Sequence, residues 1–208
     1  MVLDMKKILV AYATNSGSTA EVARFIGEEM QKNGAEVEVV LLEKVNDLAA
    51  YDALVLGAPM ILGWHRLALR FLRKNRSSLR RLPLAIFVTC MSLTRTGEKE
   101  FRGVPVTVDG NLPKPPRRED RLNFKEHYSR ISNYLRPILN ACPVKPVSIG
   151  IFGGRLDYSN LKWWGMIFVV LILQAQAGDK RNWEAIQYWT QGLPGLLEAG
   201  ALGRKPAS

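Results

Sequence analysis

Residues 7–19 constrain the fold more than any other part of this chain. Residues 8–12 form a short apolar run typical of a buried strand, and apolar residues at helical spacing begin at Ala20. The loop between them would aim its backbone N–H groups and a helix N-terminus at one anion. Four hydroxyl side chains of the loop add further donors: Thr14, Ser16, Ser18 and Thr19.

The residue types of this loop indicate which anion it fits. It holds no lysine and no acidic residue that would bind a metal, which favours a terminal phosphate monoester over a nucleoside triphosphate with magnesium. Gly17 is its single glycine, so it is not a dinucleotide fingerprint. Cys90 is not followed by the arginine that a cysteine phosphatase loop requires. An ordinary capped turn between strand and helix is the alternative.

The order of apolar runs predicts a doubly wound parallel α/β fold. Four further segments are typical of strands: residues 36–42, 51–59, 83–90 and 147–152, of which 83–90 is typical of a buried strand. Helical spacing recurs over three later segments: residues 66–79, 124–140 and 183–201. Five parallel strands of this kind predict the order 2-1-3-4-5, with ligands beyond the strand C-termini at the switch between the first and third strands.

Two segments depart from that plain pattern. Residues 91–122 are rich in glycine and proline, without strong periodicity, and a connection this long is typical of a functional lid or a disordered insertion. Residues 161–178 hold an apolar stretch, which predicts an extra helix; a core or oligomer helix and a helix lying in the membrane interface are both left open. We expect one domain over residues 1–202 and a tail over 203–208.

Charge and cysteine content narrow the class of partner. The net charge of +10 over 208 residues indicates an anionic partner, such as a membrane surface, an acidic protein or a carboxylate-bearing substrate. No nucleic-acid motif is present, and the aromatic residues do not alternate with the basic runs. The two cysteines, Cys90 and Cys142, have no metal or redox spacing, and together with an N-terminus without a signal-peptide pattern they favour a cytoplasmic protein.

Three loops would meet beyond the strand C-termini. The loop at residues 14–19 fits a phosphate, and the loops at 58–64 and 90–93 carry proline, methionine, leucine, tryptophan and small residues. Such loops can enclose a flat aromatic ring while their backbone groups bond its polar edge. A flavin mononucleotide (FMN) matches both requirements.

These motifs resemble a known family. The segment from Val10 to Thr19 and the turn Gly57-Ala58-Pro59 resemble the corresponding motifs of FMN-binding flavodoxins. Within that fold, the loop that ends in Gly63-Trp64-His65, the downstream Phe71 and the long insertion resemble the menaquinone-dependent protoporphyrinogen oxidases. The Gly154-Arg155 turn before an aromatic-rich apolar segment is also similar. The resemblance spans residues 6–197 and implies a flavodoxin-like fold with FMN as its cofactor.

The resemblance also assigns residues to the cofactor. The phosphate would be bound by Thr14, Asn15, Ser16, Gly17, Ser18 and Thr19. One side of the flavin would be lined by Pro59, Met60, Gly63 and Trp64, with a plain core role for Trp64 left open. The other side would be lined by Cys90, Met91, Ser92 and Leu93. Gly153, Gly154 and Arg155 would close the edge of the flavin ring. Arg155 could instead hold a substrate carboxylate, and a plain surface role for it is the alternative.

The function implied is an oxidoreductase that takes hydrogens from an organic donor, such as a protoporphyrinogen-like compound, and passes electrons to a quinone. Two alternatives stay open: a non-enzymatic electron carrier, and a membrane-peripheral protein that has lost flavin binding. No acid–base pair stands at an informative spacing, so no catalytic residue and no metal ligand is predicted. A homo-oligomer is left open, as is a location on the cytoplasmic face of the membrane.

Overall fold

A computed structural model describes residues 7–60, 63–94, 98–118, 121–156 and 178–203 of the chain. The apolar helix expected within residues 161–178 lies almost wholly outside these ranges. In the part that is described, no helix has the length and apolar character needed to cross a membrane.

A seven-stranded sheet forms the centre of the fold, in the order β2-β1-β3-β4-β9-β7-β6. The strands are β1 (Lys7–Tyr12), β2 (Glu36–Leu41), β3 (Ala53–Pro59), β4 (Leu84–Cys90), β6 (Glu100–Phe101), β7 (Val104–Val108) and β9 (Ser148–Gly153). Strands β5 (Leu93–Thr94) and β8 (Pro113–Lys114) pair with each other, as do β10 (Arg155–Leu156) and β11 (Gly178–Asp179). The first five sheet positions, all parallel, confirm the predicted 2-1-3-4-5 order.

Helices cover both faces of this sheet. They are α1 (Ser18–Lys32), α2 (Arg66–Lys74), α3 (Arg76–Leu79), α4 (Phe124–Tyr128), α5 (Ile131–Ala141) and α6 (Trp183–Leu202), with a 3₁₀ turn at Leu42–Lys44. Apolar residues of α1 and α6 form one core cluster, and those of α2, α3 and α5 form the other. Because both faces are covered, β3 and β4 are buried along their whole length, and this explains their continuous apolar sequences.

Two predicted helices are each divided in the structure. The helix expected over 66–79 is interrupted at Asn75, whose side-chain amide donates to the Phe71 carbonyl at 3.0 Å. The helix expected over 124–140 is interrupted at Arg130, which has an extended backbone. At this break the carbonyl of Ser129 accepts a hydrogen bond from the backbone N–H of Thr94 at 2.9 Å. The Ser129 carbonyl is therefore bonded to strand β5 of the insertion.

Part of the insertion at 91–122 belongs to the sheet. Strand β7 pairs in parallel with β9, and β6 pairs antiparallel with β7. Val104 and Val106 are buried while Pro105 between them is exposed, which is the alternation of a strand with one face in the core. The sheet is therefore two strands wider than the five-stranded core that we predicted.

Gly57 of β3 pairs with Phe87 of β4, and a Cβ built at Gly57 would stand 2.0 Å from the Phe87 ring. We expect Gly57→Ala to lower the free energy of unfolding by about 1–3 kcal/mol, because Phe87 is fully buried and has no room to move. Urea unfolding of the two proteins, followed by circular dichroism, measures this.

Gly192→Ala is the matched control, because a Cβ there meets no atom within 4 Å and the residue is exposed inside α6. Alanine should stabilise that helix by up to about 1 kcal/mol. Equal effects of the two substitutions would contradict the close approach at Gly57.

Candidate cofactor site

The C-terminal ends of four neighbouring strands bring the predicted loops together. Past the end of β1, the backbone N–H of Ala13 still donates to the Gly57 carbonyl at 2.9 Å. Met60 likewise donates to Thr89 at 2.9 Å, and Gly154 donates to Cys90 at 2.9 Å. The loops after β1, β3, β4 and β9 therefore leave the sheet side by side.

The loop before α1 has the geometry of an anion cradle. Gly17 adopts a left-handed conformation with φ of 89°, and its N–H donates to the Thr14 hydroxyl at 2.9 Å. α1 begins directly afterwards at Ser18, two residues earlier than predicted, so its first-turn N–H groups have no preceding helical carbonyl. A Cβ at Gly17 would meet nothing within 4 Å, so the space beside this residue is open. The loop fits a phosphate monoester.

Thr19 ties this loop to the centre of the sheet. Its buried hydroxyl lies 2.8 Å from the hydroxyl of Thr89 on β4. Ser18 is also buried, and its Oγ would lie 3.7 Å from a Cβ at Gly154. The loop is thus braced against two other strands, and Thr89 is a contact that sequence reasoning missed.

Trp64 packs into the core instead of standing exposed beside the loop. Its side chain is 5% exposed, and its indole N–H donates to the backbone carbonyl of Tyr134. Met60 and Trp64 form an isolated antiparallel bridge across the turn, in which Gly63 has φ of 111°. Pro59 and Met60 are buried as well. These observations favour the core role for Trp64 over that of a ring-stacking surface.

The loop after β4 is fastened by the same tyrosine. The Tyr134 hydroxyl donates to the Ser92 carbonyl at 2.6 Å, and burial raises the pKa of that hydroxyl well above its usual range. The Ser92 hydroxyl lies 3.0 Å from that of Ser129, and the Lys180 ammonium donates to the Met91 carbonyl at 3.0 Å. Leu93 is buried, whereas Met91 and Ser92 are partly exposed.

Cys90 is a buried thiol at the end of β4. Its side chain is 2% exposed, and burial raises its pKa to about 12. A thiol with that pKa stays protonated at neutral pH and is a poor nucleophile. The structure therefore agrees with our interpretation of Cys90 as a small packing residue of the loop.

The turn after β9 is held tightly by the chain that follows. A Cβ at Gly153 would lie 1.8 Å from the Lys180 carbonyl, so only glycine fits there. The Lys180 N–H donates to the Gly154 carbonyl at 3.0 Å. Arg155 is 40% exposed and forms an ion pair with Glu21 of α1 at 3.2 Å. Its guanidinium therefore already has a carboxylate partner within the chain.

Glu21 is also bound by Arg181, a contact that the sequence did not suggest. The Arg181 guanidinium pairs with both Glu21 and Asp179, and it lies 4.8 Å from the ring centre of Trp183. The hydrogen bond from Arg181 holds the pKa of Glu21 below its usual value, with a smaller contribution from the charge of Arg155. Two arginines therefore neutralise the acidic residue nearest the anion cradle.

Several known proteins are similar to this chain. The model of the flavodoxin domain family matches residues 9–182. Protoporphyrinogen IX dehydrogenase [quinone] of Escherichia coli is 22% identical over 205 residues, which cover 96% of this chain and 98% of that protein. A flavodoxin from the domain Archaea is similar in structure, with a TM-score of 0.48 and 14% identity over 96% of this chain and 99% of that one. The structure of two-electron reduced Megasphaera elsdenii flavodoxin has a TM-score of 0.45 and 16% identity, over 69% of this chain and 84% of that one.

The ion pairs of Glu21 predict a pH-dependent stability. Because the folded-state pKa lies below the ordinary value of 4.5, the stabilisation is complete at higher pH and is lost as the pH falls through the folded pKa. We expect Glu21→Gln to be less stable than the wild type at neutral pH, and the two to converge in acid. Thermal unfolding across a pH series tests this; a stability gap independent of pH would contradict it.

The burial of Cys90 predicts slow thiol chemistry. At about pH 8, a Cys142→Ser variant should react with a thiol reagent far more slowly in the native state than in denaturant, because the remaining Cys90 thiol is buried and protonated. Absorbance of the released chromophore measures both rates. Native labelling as fast as that of free cysteine would show that Cys90 is an accessible thiolate.

Proposed function

We propose, because this chain belongs to the flavodoxin domain family, that it is an FMN-dependent oxidoreductase that passes electrons from an organic donor to a quinone. The observation that carries the proposal is the convergence of an anion cradle with two braced loops at one edge of a parallel sheet. The Escherichia coli relative is a quinone-linked protoporphyrinogen IX dehydrogenase, which supports the reaction class and suggests a protoporphyrinogen-like donor.

Each part of the site has a separate role in this proposal. The loop from Thr14 to Thr19 binds the phosphate through backbone N–H groups and hydroxyls. Pro59, Met60 and Gly63 border one side of the flavin, and the loop from Cys90 to Leu93 borders the other. Trp64 supports the first of these loops from the core. FMN supplies the hydride and electron chemistry when it is bound, and the chain contributes placement and electrostatics.

A cavity beside the β4 loop is our proposed site for the donor. It measures about 490 Å³, and Ser92 and Leu93 form part of its wall. The insertion contributes Lys114 and Arg117, and Phe124 stands 73% exposed at its rim. Glu126 also lines the cavity, where its carboxylate accepts bonds from the backbone N–H groups of Arg117 and Asn123. The two cations beside an exposed aromatic ring outnumber this carboxylate and suit a flat donor that carries carboxylates.

A protein of this fold that has lost its flavin is the second candidate. The burial of Trp64 favours it, because neither ring loop presents an exposed aromatic side chain among the described residues. Flavin binding separates the two candidates. The absorption spectrum of the purified protein after addition of FMN and removal of the excess decides whether the cofactor is retained.

A charge placed in the cradle provides the sharpest test of FMN binding. Gly17→Asp sets a carboxylate where the phosphate should bind, and we expect FMN affinity to fall by about 100-fold or more through like-charge repulsion. Gly34→Asp is the matched control, since both glycines have φ of 89° and open space around the Cβ position. Quenching of flavin fluorescence measures both affinities.

Equal affinities of the two variants would place the phosphate elsewhere. The quinone step is measured separately, by the rate at which added quinone reoxidises the reduced, FMN-loaded protein. A rate no faster than that of free reduced FMN would reject the quinone-linked function while leaving the flavin site intact.

A further inference from the structure

Helices α2 and α3 and the two residues after them carry a cationic surface that is not part of the proposed flavin site. Seven basic side chains within residues 66–81 are exposed: Arg66, Arg70, Arg73, Lys74, Arg76, Arg80 and Arg81. We call this set the basic face. The same segment holds no acidic residue. Among the described residues, none of the seven side chains forms an ion pair or a hydrogen bond.

The stability of α2 does not explain these charges. Ala68, Phe71 and Leu72 anchor the helix in the core, so its folding does not depend on its outer residues. Arg66 and Arg70 stand four residues apart, a spacing at which like charges destabilise a helix. Arg66 also lies at the N-terminus of α2, where the helix dipole disfavours a cation. The helix therefore carries an electrostatic cost that an external anion would relieve.

The basic face also has a shape that admits anionic groups. Arg66, Arg70, Arg73 and Lys74 surround a depression of about 510 Å³, to which Leu69 adds aliphatic surface. Spacing of four and then three residues sets Arg66, Arg70 and Arg73 in one stripe along the helix. The stripe begins at Arg66, two residues after the Met60–Trp64 bridge of the β3 loop. The basic face thus starts beside the candidate cofactor site.

We propose that the basic face docks the protein on an anionic phospholipid bilayer. A bilayer presents a continuous and mobile layer of phosphates, which pairs with cations that have no fixed partners of their own. A folded acidic protein would instead need carboxylates that match these positions. The choice of a bilayer rests on the proposed function, because a lipid-dissolved quinone is reached from the membrane surface; the anionic character of the partner rests on the charges alone.

Sedimentation with lipid vesicles tests this docking on the full-length protein. The wild type should bind vesicles that contain phosphatidylglycerol, bind pure phosphatidylcholine vesicles far more weakly, and dissociate at high salt. The triple variant Arg66→Gln, Arg70→Gln, Arg73→Gln should partition on the order of 100-fold more weakly, at about fivefold per cation near the surface.

A second triple variant controls for net charge. Arg24→Gln, Lys99→Gln, Arg118→Gln also removes three exposed cations from the starting charge of +10, all of them outside α2 and α3. We expect its partitioning to fall by less than about fivefold, because these cations lie outside the basic face. Circular dichroism shows whether both variants fold.

Two results would overturn the docking proposal. Equal losses in the two triple variants would show that net charge alone drives binding. Absence of wild-type binding to the anionic vesicles would exclude a bilayer, and salt-sensitive binding to polyglutamate in the same samples would redirect the basic face to an acidic protein. Both readouts are independent of flavin, so a protein that docks without binding FMN would refute the proposed function and keep this inference.

Discussion

Tyr134 holds in place the two loops that border the candidate ring site. Its backbone carbonyl accepts the indole N–H of Trp64, while its hydroxyl donates to the carbonyl of Ser92. One buried residue of α5 thus fixes both loops, the β3 loop through its backbone carbonyl and the β4 loop through its hydroxyl. Because unmet buried polar groups are costly, these bonds define the positions of both loops. The width of any ring site between them depends on α5 packing correctly against the sheet.

The other edge of the site depends on chain that follows the last strand. The Lys180 carbonyl lies against Gly153, and the side-chain amide of Asn182 donates to the buried Asp109 carboxylate at 3.0 Å. Asn182 also caps α6 by accepting a bond from Ala185 at 3.2 Å. The insertion, the β9 turn and the start of α6 are therefore joined through the short segment 180–182.

The local sequence was sufficient to predict those elements that depend on interactions between residues close together in the chain. The continuous apolar runs predicted the central strands β3 and β4, which are buried along their whole length because helices cover both faces of the parallel sheet. The loop at 14–19 was recognisable because its hydroxyls and Gly17 act through backbone geometry. The contacts of Trp64 and Arg155 were harder to predict, because their partners Tyr134 and Glu21 are distant in sequence. Tyr134 itself lies within the helix predicted over 124–140, but nothing in the sequence singled it out.

Charge is distributed differently at the anion cradle and at the basic face. Near the anion cradle, Glu21 has two arginine partners and Arg181 has two carboxylate partners, so charge there is balanced internally. A phosphate would be held by neutral amides and hydroxyls, whose bonds are directional and specify position. Within the part of the chain that the structure describes, the cations on α2 and α3 have no internal partners, so their field extends into solvent and acts over roughly a Debye length. Long-range attraction at one surface and short-range bonding at the adjacent edge fit a protein that first reaches a surface and then reacts there.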